Sequence, residues 1–306
     1  MNSLGWAIIF KMGCWCSKET IIIGGTKYVV RERIAQGGFS LIDLVENATT
    51  KRKYALKRIT CHSIEDQKIA MREVELTRSI KHPNVVEIID FELKGDADIV
   101  INTISHVYIL FPFFKNGSLL DHLNMRAKTK DHMAESQVLQ IFVGICEGLK
   151  ALHEAKPEPL AHRDLKTANI CLSDSMEPIL VDLGSCTEAR EQICGQHEAQ
   201  RLQDQAEERC SIVYRALELF NVQSYYMIDE RTDIWSLGCC LYAICFFKCP
   251  YDIIYEKGDS VALAVLSGNV DFPTDSPYSE VHYFLILFNF FLLSQTQFQK
   301  PFIASK

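Results

Sequence analysis

The chain has 306 residues, of which 48% are apolar and 23% are charged, and this composition excludes an intrinsically disordered or collagen-like protein. The formal net charge is −7 at pH 7, so no global positive field attracts nucleic acid or a membrane surface, and we expect no nucleic-acid partner. A chain of this length can bury a large core, arranged as two domains or two lobes.

The cysteine pattern and the apolar runs indicate the compartment. Twelve cysteines are scattered without a CxxC pair or a Cys/His spacing typical of zinc sites. No positive charge precedes the apolar segment 4–10, so we expect no secretory signal and a reducing, cytoplasmic environment. The longest apolar runs, 237–247 and 283–293, are about half the ~20 residues that span a bilayer, and we expect no transmembrane helix.

The first third of the chain has the pattern of strands. β-Branched and aromatic residues recur in Lys27–Arg33 and in Leu41–Glu46, which flank a glycine-containing turn. Helical spacing predicts a helix over Glu65–Ile80, which stops shortly before Pro83. Further strands are predicted at Lys53–Ile59, Val85–Leu93 and His106–Phe111.

Helical patterns dominate the remainder. Ser118 is a candidate N-cap for a helix over Leu119–Arg126, and Glu135–His153 has the pattern of a long amphipathic helix. The segment Pro112-Phe113-Phe114 is the predicted hinge, because the proline restricts the chain and the helical pattern begins just after it. A strand-rich lobe therefore precedes a helix-rich lobe, and the cleft between them is the expected ligand site.

Two short motifs carry the chemistry. Residues 162–169 read HRDLKTAN, which fits the pattern HRDLxxxN without a mismatch. The triplet Asp182-Leu183-Gly184 follows Asp164 by 18 residues, after a strand-like Ile179–Val181. Both motifs together resemble the signature of eukaryotic protein kinases, and the resemblance extends from about Lys27 to Phe272.

The resemblance implies an α+β fold with a small β-rich N-lobe and a larger, mainly helical C-lobe. It places an N-terminal extension at 1–26, the kinase domain at 27–272 and a divergent apolar tail at 273–306, where the usual final helices are truncated or replaced. Within the domain, the N-lobe covers 27–111, the hinge 112–114 and the C-lobe 115–272.

The residue types in the motifs suit phosphoryl transfer. Asp164 is placed to accept the hydrogen of the substrate hydroxyl as attack develops. By resemblance, Lys166 marks serine/threonine kinases and neutralises charge on the transferred phosphoryl group. Asn169 and Asp182 supply oxygen ligands of the kind that Mg²⁺ prefers, so ATP and Mg²⁺ are the implied cofactors and proteins the implied substrates.

A lysine and a glutamate complete the predicted catalytic set. The strand Tyr54-Ala55-Leu56-Lys57 matches the kinase VAIK pattern, so Lys57 is expected to reach the α- and β-phosphates of ATP. Glu73 is its expected ion-pair partner on the following helix. Glu75 is an alternative, but it points about 200° further round a helix of 3.6 residues per turn.

The predicted phosphate-covering loop keeps only one of three expected glycines. Gly37 stands at the second glycine position, whereas Ala35 and Ser40 stand at the first and third. A simple hairpin turn would also explain this segment, but its place 20 residues before Lys57 supports the nucleotide role. The loop residues are Ile34, Ala35, Gln36, Gly37, Gly38, Phe39, Ser40, Leu41 and Ile42.

Other nucleotide and substrate contacts follow from the resemblance alone. Phe111 falls at the back of the adenine pocket, and Pro112, Phe113 and Phe114 form the segment whose backbone contacts adenine. Ala55 and Cys171 form the ceiling and floor of the pocket; without the resemblance, all of these would be interpreted as core residues. Ser211 corresponds to the hydroxyl residue beside the catalytic carboxylate. The segment before it, with a short helical pattern over Glu198–Arg209, could be an ordered platform or a flexible loop.

Further segments resemble the Numb-associated kinase family. They are 37–40, 110–115, 228–233 and 257–265, and the nearest match is a myristoylated and palmitoylated member of that family. Residues 12–17 fit the acylation pattern M-G-x-x-x-[ST], with Gly13 as the myristoylation candidate and Cys14 and Cys16 as palmitoylation candidates. Acylation requires translation to start at Met12; otherwise the two cysteines are simply exposed thiols.

If the chain is acylated, one myristoyl group alone holds a membrane only marginally, so a second lipid is needed. The resemblance then implies a membrane surface as a partner and a Golgi, perinuclear or plasma-membrane location.

The carboxyl end departs from the kinase pattern. Glu218 occupies the position of a glutamate that kinases normally pair with a later buried arginine, but the last arginine in the chain is Arg231. Losing the partner of a buried carboxylate typically costs ~3–5 kcal/mol. The apolar run 283–293 could fold as a helix into part of the vacated site, or it could come from an alternative transcript or a gene-model error.

The leading hypothesis is an ATP- and Mg²⁺-dependent protein serine/threonine kinase, because the catalytic set of six residues is complete. The alternative is a catalytically impaired, kinase-like scaffold or truncated isoform that binds only nucleotide or partners. Ala35, Leu217 at a position where kinases have proline, and the missing arginine favour that alternative.

Overall fold

The computed structural model describes residues 19–37, 40–98, 103–268, 270–273 and 276–279. The acylation candidates Gly13, Cys14 and Cys16, the loop residues Gly38 and Phe39, and the apolar run 283–293 lie outside the described residues. The two predictions for the apolar run therefore stay predictions.

The N-terminal lobe is built on a six-stranded antiparallel sheet with the strand order β1-β2-β3-β4-β6-β5. One helix, α1, packs against it. The elements are β1 (Thr20–Ile23), β2 (Thr26–Gln36), β3 (Ser40–Asn47), β4 (Lys53–Cys61), α1 (Ile64–Ser79), β5 (Asp90–Lys94) and β6 (Ser105–Pro112).

Apolar residues cover both faces of this sheet. On one face, Ile21 and Ile23 of β1 pack with Val45, Leu56 and Leu110. On the other face, the buried residues of α1 pack against β4 and β6. Strand β1 was not predicted, and the sheet therefore begins before residue 27.

A capping box explains where α1 begins. The Ser63 side chain accepts a hydrogen bond from the Asp66 backbone N–H, and the Asp66 side chain accepts one from the Ser63 backbone N–H, which is a capping box.

The predicted strand Val85–Leu93 is wrong in its first half, because strand pairing within the sheet begins only at Asp90. Before that point, the Val86 N–H donates at 2.9 Å to the carbonyl oxygen of Leu180, which ends a strand of the second lobe, instead of to a strand of the six-stranded sheet.

Helices dominate the second lobe, as expected. They are α2 (Leu119–Thr129), α3 (Glu135–His153), α4 (Gln196–Arg209), α5 (Arg231–Phe246), α6 (Asp252–Lys257) and α7 (Val261–Ser267). Short strand pairs link them: β7 (Leu160–Ala161) with β10 (Thr187–Glu188), β8 (Ile170–Leu172) with β9 (Pro178–Leu180), and β11 (Glu191–Gln192) with β12 (Met227–Ile228).

Helix α5 is the centre of the second lobe. Thirteen of its residues are buried, which explains why its sequence is apolar on all sides rather than along one stripe. The predicted cap at Ser118 is present before α2, and α3 has the predicted bounds. Within the described ranges, no helix is both long enough and apolar enough to cross a membrane.

The carboxylate of Glu218 is buried at 9% exposure, and no ion pair to it is found in the described part of the chain. The nearby Arg231 guanidinium is instead paired with Asp229, at 2.7 Å. Burial raises the pKa of Glu218 above its ordinary value. The folded chain therefore carries the cost of an unpaired carboxylate when that group is ionised.

We expect the substitution Glu218→Gln to stabilise the protein at neutral pH. Because the pKa is raised on folding, the stability of the native chain falls as the pH rises from the ordinary glutamate value through the folded-state pKa. The variant lacks this loss, so it should gain about 1–3 kcal/mol at pH 7.5, which raises Tm by about 2–4 °C for each kcal/mol. Thermal unfolding at pH 7.5 and pH 4 checks this, since the gain should vanish at pH 4; an unchanged or lower Tm at pH 7.5 contradicts it.

Candidate active site

The catalytic loop is held by one buried carboxylate at the start of α5. Asp233 is fully buried and accepts hydrogen bonds from the backbone N–H groups of His162 and Arg163, at 2.7 and 2.9 Å. His153 Nε2 lies 2.8 Å from the same carboxylate. Arg163 adopts a left-handed backbone conformation with φ 64°, which a non-glycine residue keeps only when its surroundings enforce it.

Three of the predicted site residues lie within hydrogen-bond distance of one another at the part of this loop just after Arg163. Lys166 Nζ donates to Asp164 Oδ2 at 2.7 Å and to Ser211 Oγ at 2.8 Å. The Ser211 backbone N–H donates to Asp164 Oδ1 at 2.9 Å. Asp164 and Lys166 of one loop therefore converge with Ser211, which is 45 residues beyond Lys166, on one point of the cleft. A carboxylate and an ammonium in this arrangement can accept a hydroxyl hydrogen and stabilise developing negative charge.

Lys57 on β4 is paired with two carboxylates. Its Nζ donates to Glu73 of α1 at 2.7 and 2.9 Å, and to Asp182 Oδ1 at 2.6 Å. Burial disfavours the ammonium, but the two carboxylates outweigh it and raise the pKa of Lys57, which therefore stays charged at neutral pH. The structure therefore pairs Lys57 with Glu73 and not with the alternative, Glu75. This ion pair connects α1 to β4 at the cleft.

Asp182 and Asn169 have donor atoms left for a metal ion. The Asp182 side chain is 46% exposed, and only Oδ1 contacts Lys57. The Asn169 amide donates its N–H groups to Asp164, at 2.9 and 3.2 Å, which leaves the amide oxygen available. Burial raises the pKa of Asp182, but Lys57 outweighs it and lowers that pKa, so the group is ionised. An amide oxygen and a carboxylate are the donor types that a hard divalent cation takes.

The position of Gly184, two residues after Asp182, leaves little room for a side chain. A Cβ on Gly184 would lie 3.0 Å from Glu73 Oε2, so a larger residue would push against the Lys57–Glu73 pair. Asp182 itself has φ 60°, another enforced left-handed residue at the site.

The predicted phosphate-covering loop is the end of the β2–β3 hairpin. The Gly37 N–H donates to the Ser40 carbonyl oxygen at 2.8 Å, and Ile42 lies opposite Lys57 on β4. The residues Ile34, Ala35, Gln36 and Gly37 are exposed, whereas Ser40, Leu41 and Ile42 are half-buried. The described loop residues therefore lie at the edge of the cleft that contains Lys57.

The predicted adenine-pocket residues lie around the junction of the lobes. Ala55 on β4 is opposite Phe111 on β6, and Phe111 packs against the cluster shared with α1. Pro112 ends β6, and Phe113 and Phe114 follow it with partly buried side chains. Cys171 lies on β8 of the second lobe, and its backbone pairs with that of Ser118 in an isolated antiparallel β-bridge. Burial raises the pKa of the Cys171 thiol to about 12, so this cysteine is neutral and unreactive.

The segment between Gly184 and Ser211 is an ordered platform, which decides between the two alternatives left open by its sequence. Helix α4 fills most of it, and Arg163 donates to the Ala189 carbonyl oxygen at 3.1 Å. The backbone after Ser211 is also held, because Ser236 Oγ donates to the Tyr214 carbonyl oxygen at 2.8 Å.

Sequence reasoning missed two residues that support this site. Asp233 was assigned no role from the sequence, yet it anchors the loop that carries Asp164. Tyr214 was also assigned no role, yet its hydroxyl lies 3.0 Å from Thr167 Oγ1, in the same loop as Asp164 and Lys166. An acidic residue at the start of a largely apolar helix was the available signal for Asp233, because a buried charge needs partners.

Comparison with known proteins agrees with this geometry. A profile of the protein kinase domain matches residues 28–282. The chain belongs to the protein kinase family.

Several curated relatives are serine/threonine kinases. The chain is 45% identical over 252 residues to serine/threonine-protein kinase 16 of Rattus norvegicus, which covers 82% of this chain and 80% of the relative. The human protein of the same name is 44% identical over the same shares. A probable serine/threonine-protein kinase of Dictyostelium discoideum is 30% identical over 88% of this chain and 89% of its own length. The chain is accordingly an ATP-dependent protein serine/threonine kinase with the expected two-lobed α+β fold.

We expect Glu73→Gln to impair nucleotide use by this kinase. The variant keeps the size of the side chain but removes one of the two carboxylates that hold Lys57. Breaking a buried ion pair is costly, and Lys57 should turn further towards Asp182, so kcat/KM for ATP should fall at least about tenfold. Steady-state kinetics with varied ATP measures this, with Glu75→Gln on the same helix as the matched control. Equal kcat/KM for both variants would contradict the assigned pairing.

Proposed function

We propose that this kinase transfers the γ-phosphate of Mg²⁺-bound ATP to a serine or threonine hydroxyl of a protein, with Asp164 as the catalytic base. The observation that carries the proposal is the convergence of Asp164, Lys166 and Ser211 within hydrogen-bond distance of one another. A hydroxyl that enters this point would meet a carboxylate able to accept its hydrogen and an ammonium able to neutralise charge.

The remaining predicted residues have positions that suit the same reaction. Lys57, held charged between Glu73 and Asp182, is available to bind the α- and β-phosphates. The free oxygens of Asn169 and Asp182 would hold the divalent cation, which supplies charge neutralisation at the phosphates. Catalysis by such a site consists of positioning and electrostatic stabilisation rather than covalent chemistry with the protein.

We expect Asp164→Asn to abolish transfer while the fold is retained. The amide cannot take up the proton of the hydroxyl group, but its oxygen can still accept from the Ser211 N–H, and the bond from Asn169 to the backbone carbonyl of residue 164 is unaffected. A radiolabelled-ATP assay on a generic protein substrate should show a loss of at least about 10²-fold in kcat, and nucleotide binding should remain.

Ser173→Ala is the control, because Ser173 is a surface serine that bonds only within its own turn and to Asn116. An unchanged rate in the Asp164 variant would overturn the assignment. A folded wild-type chain that binds Mg²⁺-ATP but transfers nothing would favour the scaffold alternative.

We further propose that the kinase is a member of the Numb-associated family and that it is acylated at its amino end. The support is the resemblance of residues 110–115, 228–233 and 257–265 to that family and the fit of residues 12–17 to a myristoylation and palmitoylation pattern. A protein that starts at Met12 would carry two lipids, which suffices for stable membrane attachment at a Golgi, perinuclear or plasma-membrane surface.

We expect a chain that starts at Met12 to incorporate labelled myristate in cells. The variant Gly13→Ala should incorporate none, because only an amino-terminal glycine accepts the acyl group. Fractionation should then place the acylated chain with membranes, and replacing Cys14 and Cys16 by serine should release it, since one myristoyl chain binds only marginally. The chain that starts at Met1 is the control. Equal labelling of the glycine and alanine variants would exclude this site.

A further inference from the structure

The last six residues of β2, as far as the structure describes this hairpin, bury little apolar surface. Every residue of β2 from Arg31 to Gln36 is exposed, and Ile34 in the middle of this stretch is 43% exposed. The register between β2 and β3 also shifts between Arg33 and Ala35, which marks a bulge or irregularity. Bulged strands bend and twist locally, so the backbone ladder alone does not explain a fixed position of this hairpin end.

A buried charge lies at the base of this exposed stretch. The Asp43 side chain on β3 is only 2% exposed. Arg58 Nε of β4 lies 2.6 Å from Asp43 Oδ2, and Arg33 Nε of β2 donates to Asp43 Oδ1 at 3.3 Å. One carboxylate therefore joins three adjacent strands. On the outer side, Arg58 also donates to Glu19 at 2.6 Å, immediately before β1.

The bridge lies directly behind the nucleotide-facing side of the sheet. Asp43 is opposite Leu56 on β4, and the preceding residue Ile42 is opposite Lys57. Because side chains alternate between the two faces of a strand, Ile42 and Lys57 share the cleft face. Asp43, Leu56 and Arg58 share the opposite face, where Leu56 packs in the cluster with β1.

This position links the bridge to the phosphates that Lys57 would bind. Arg33 and Asp43 are the ion pair on β2 and β3 that lies nearest the Gly37–Ser40 hydrogen bond in the described part of the hairpin. Glycine stands at only one of the positions where the kinase loop allows close backbone approach. Because the loop lacks the other glycines, the tilt of β2 and β3 has to bring the loop backbone close to the phosphates.

We propose that Asp43 is a positioning residue for nucleotide binding, which acts through Arg33 and Arg58 to fix the β2–β3 hairpin end over the phosphates of ATP. This inference rests on the proposed nucleotide role of Lys57 and Ile42. The ion-pair bridge touches neither Asp164 nor Ser211. A change at Asp43 should therefore alter the affinity for ATP and leave the affinity for the protein substrate unchanged.

The test is Asp43→Asn in the full chain. The amide keeps the size of the side chain but removes the negative charge that joins the two arginines. We expect KM for ATP to rise about fivefold to tenfold, whereas kcat and KM for the protein substrate change less than about twofold. A merely structural role would lower Tm and the active fraction, and therefore apparent kcat, with KM for ATP unchanged; that result would overturn the proposal.

The matched control is Glu46→Gln, which breaks an ion pair of the same two strands. Glu46 accepts from Arg31 at 2.6 Å, and this pair lies further from the hairpin end than the Asp43 pair. Its KM for ATP should equal that of the wild type. An equal rise in both variants would show that any charge loss in the hairpin weakens ATP binding, and it would also overturn the proposal.

A second variant decides the matter if Asp43→Asn does not fold. Arg33→Gln removes only the outer arm of the bridge, and its side chain is half-exposed, so the variant should fold. We expect a rise in KM for ATP of about twofold to threefold, and an unchanged value would count against the bridge. If the wild-type chain transfers no phosphate, the proposed function fails. The dissociation constant for a fluorescent ATP analogue still tests the bridge separately, with the same order of variants expected.

Discussion

The carboxylate of Asp233 is the interaction on which the second lobe depends. It is fully buried in the lobe, yet it is ionised, because His153 and the backbone N–H groups of residues 162 and 163 outweigh the effect of burial and lower its pKa. The helix that carries it is buried on nearly all sides and cannot rotate without opening the core. A rigid helix therefore fixes the backbone of residues 162 and 163, and the position of the following Asp164 depends on a group 69 residues further along the chain.

The two lobes are joined at the site by different kinds of contact. The Leu180 N–H donates to the Asn84 carbonyl oxygen and the Leu180 carbonyl oxygen accepts from the Val86 N–H, which connects the segment after α1 with β9 of the second lobe. Two residues after Leu180, the carboxylate of Asp182 accepts a hydrogen bond from the ammonium of Lys57. The first contact is neutral and independent of ligand, whereas the second contact involves groups that a nucleotide and its cation would also engage. The backbone contact with Leu180 is thus constant, whereas the ion pair of Lys57 and Asp182 can exchange partners.

The sequence was most informative where chemistry restricts both residue type and spacing. The loop that carries Asp164, together with Lys57 and Glu73, could be predicted from the resemblance to kinase motifs, in which phosphoryl transfer restricts these groups, and the helix period places Glu75 on a different side from Glu73. The helix caps were also predictable from local pairs of residues. The roles of Asp233 and Asp43 could not be predicted, because each depends on partners brought together by the fold from distant strands or loops. The first half of the segment Val85–Leu93 has a strand-like pattern but pairs with the other lobe, and no local pattern distinguishes these outcomes.

The early start of the sheet at Thr20 has a geometric consequence for an acylated form. Gly13 lies only seven positions before the first residue of the first strand, and an extended chain spans at most ~3.6 Å per residue. A lipid on Gly13 would thus keep the edge of the N-terminal lobe within about 25 Å of the bilayer. The tether would restrict the enzyme to acceptors that sit close to the same surface, and for those acceptors it would raise the effective concentration. Substrate choice would then be set by reach as well as by the residues of the cleft.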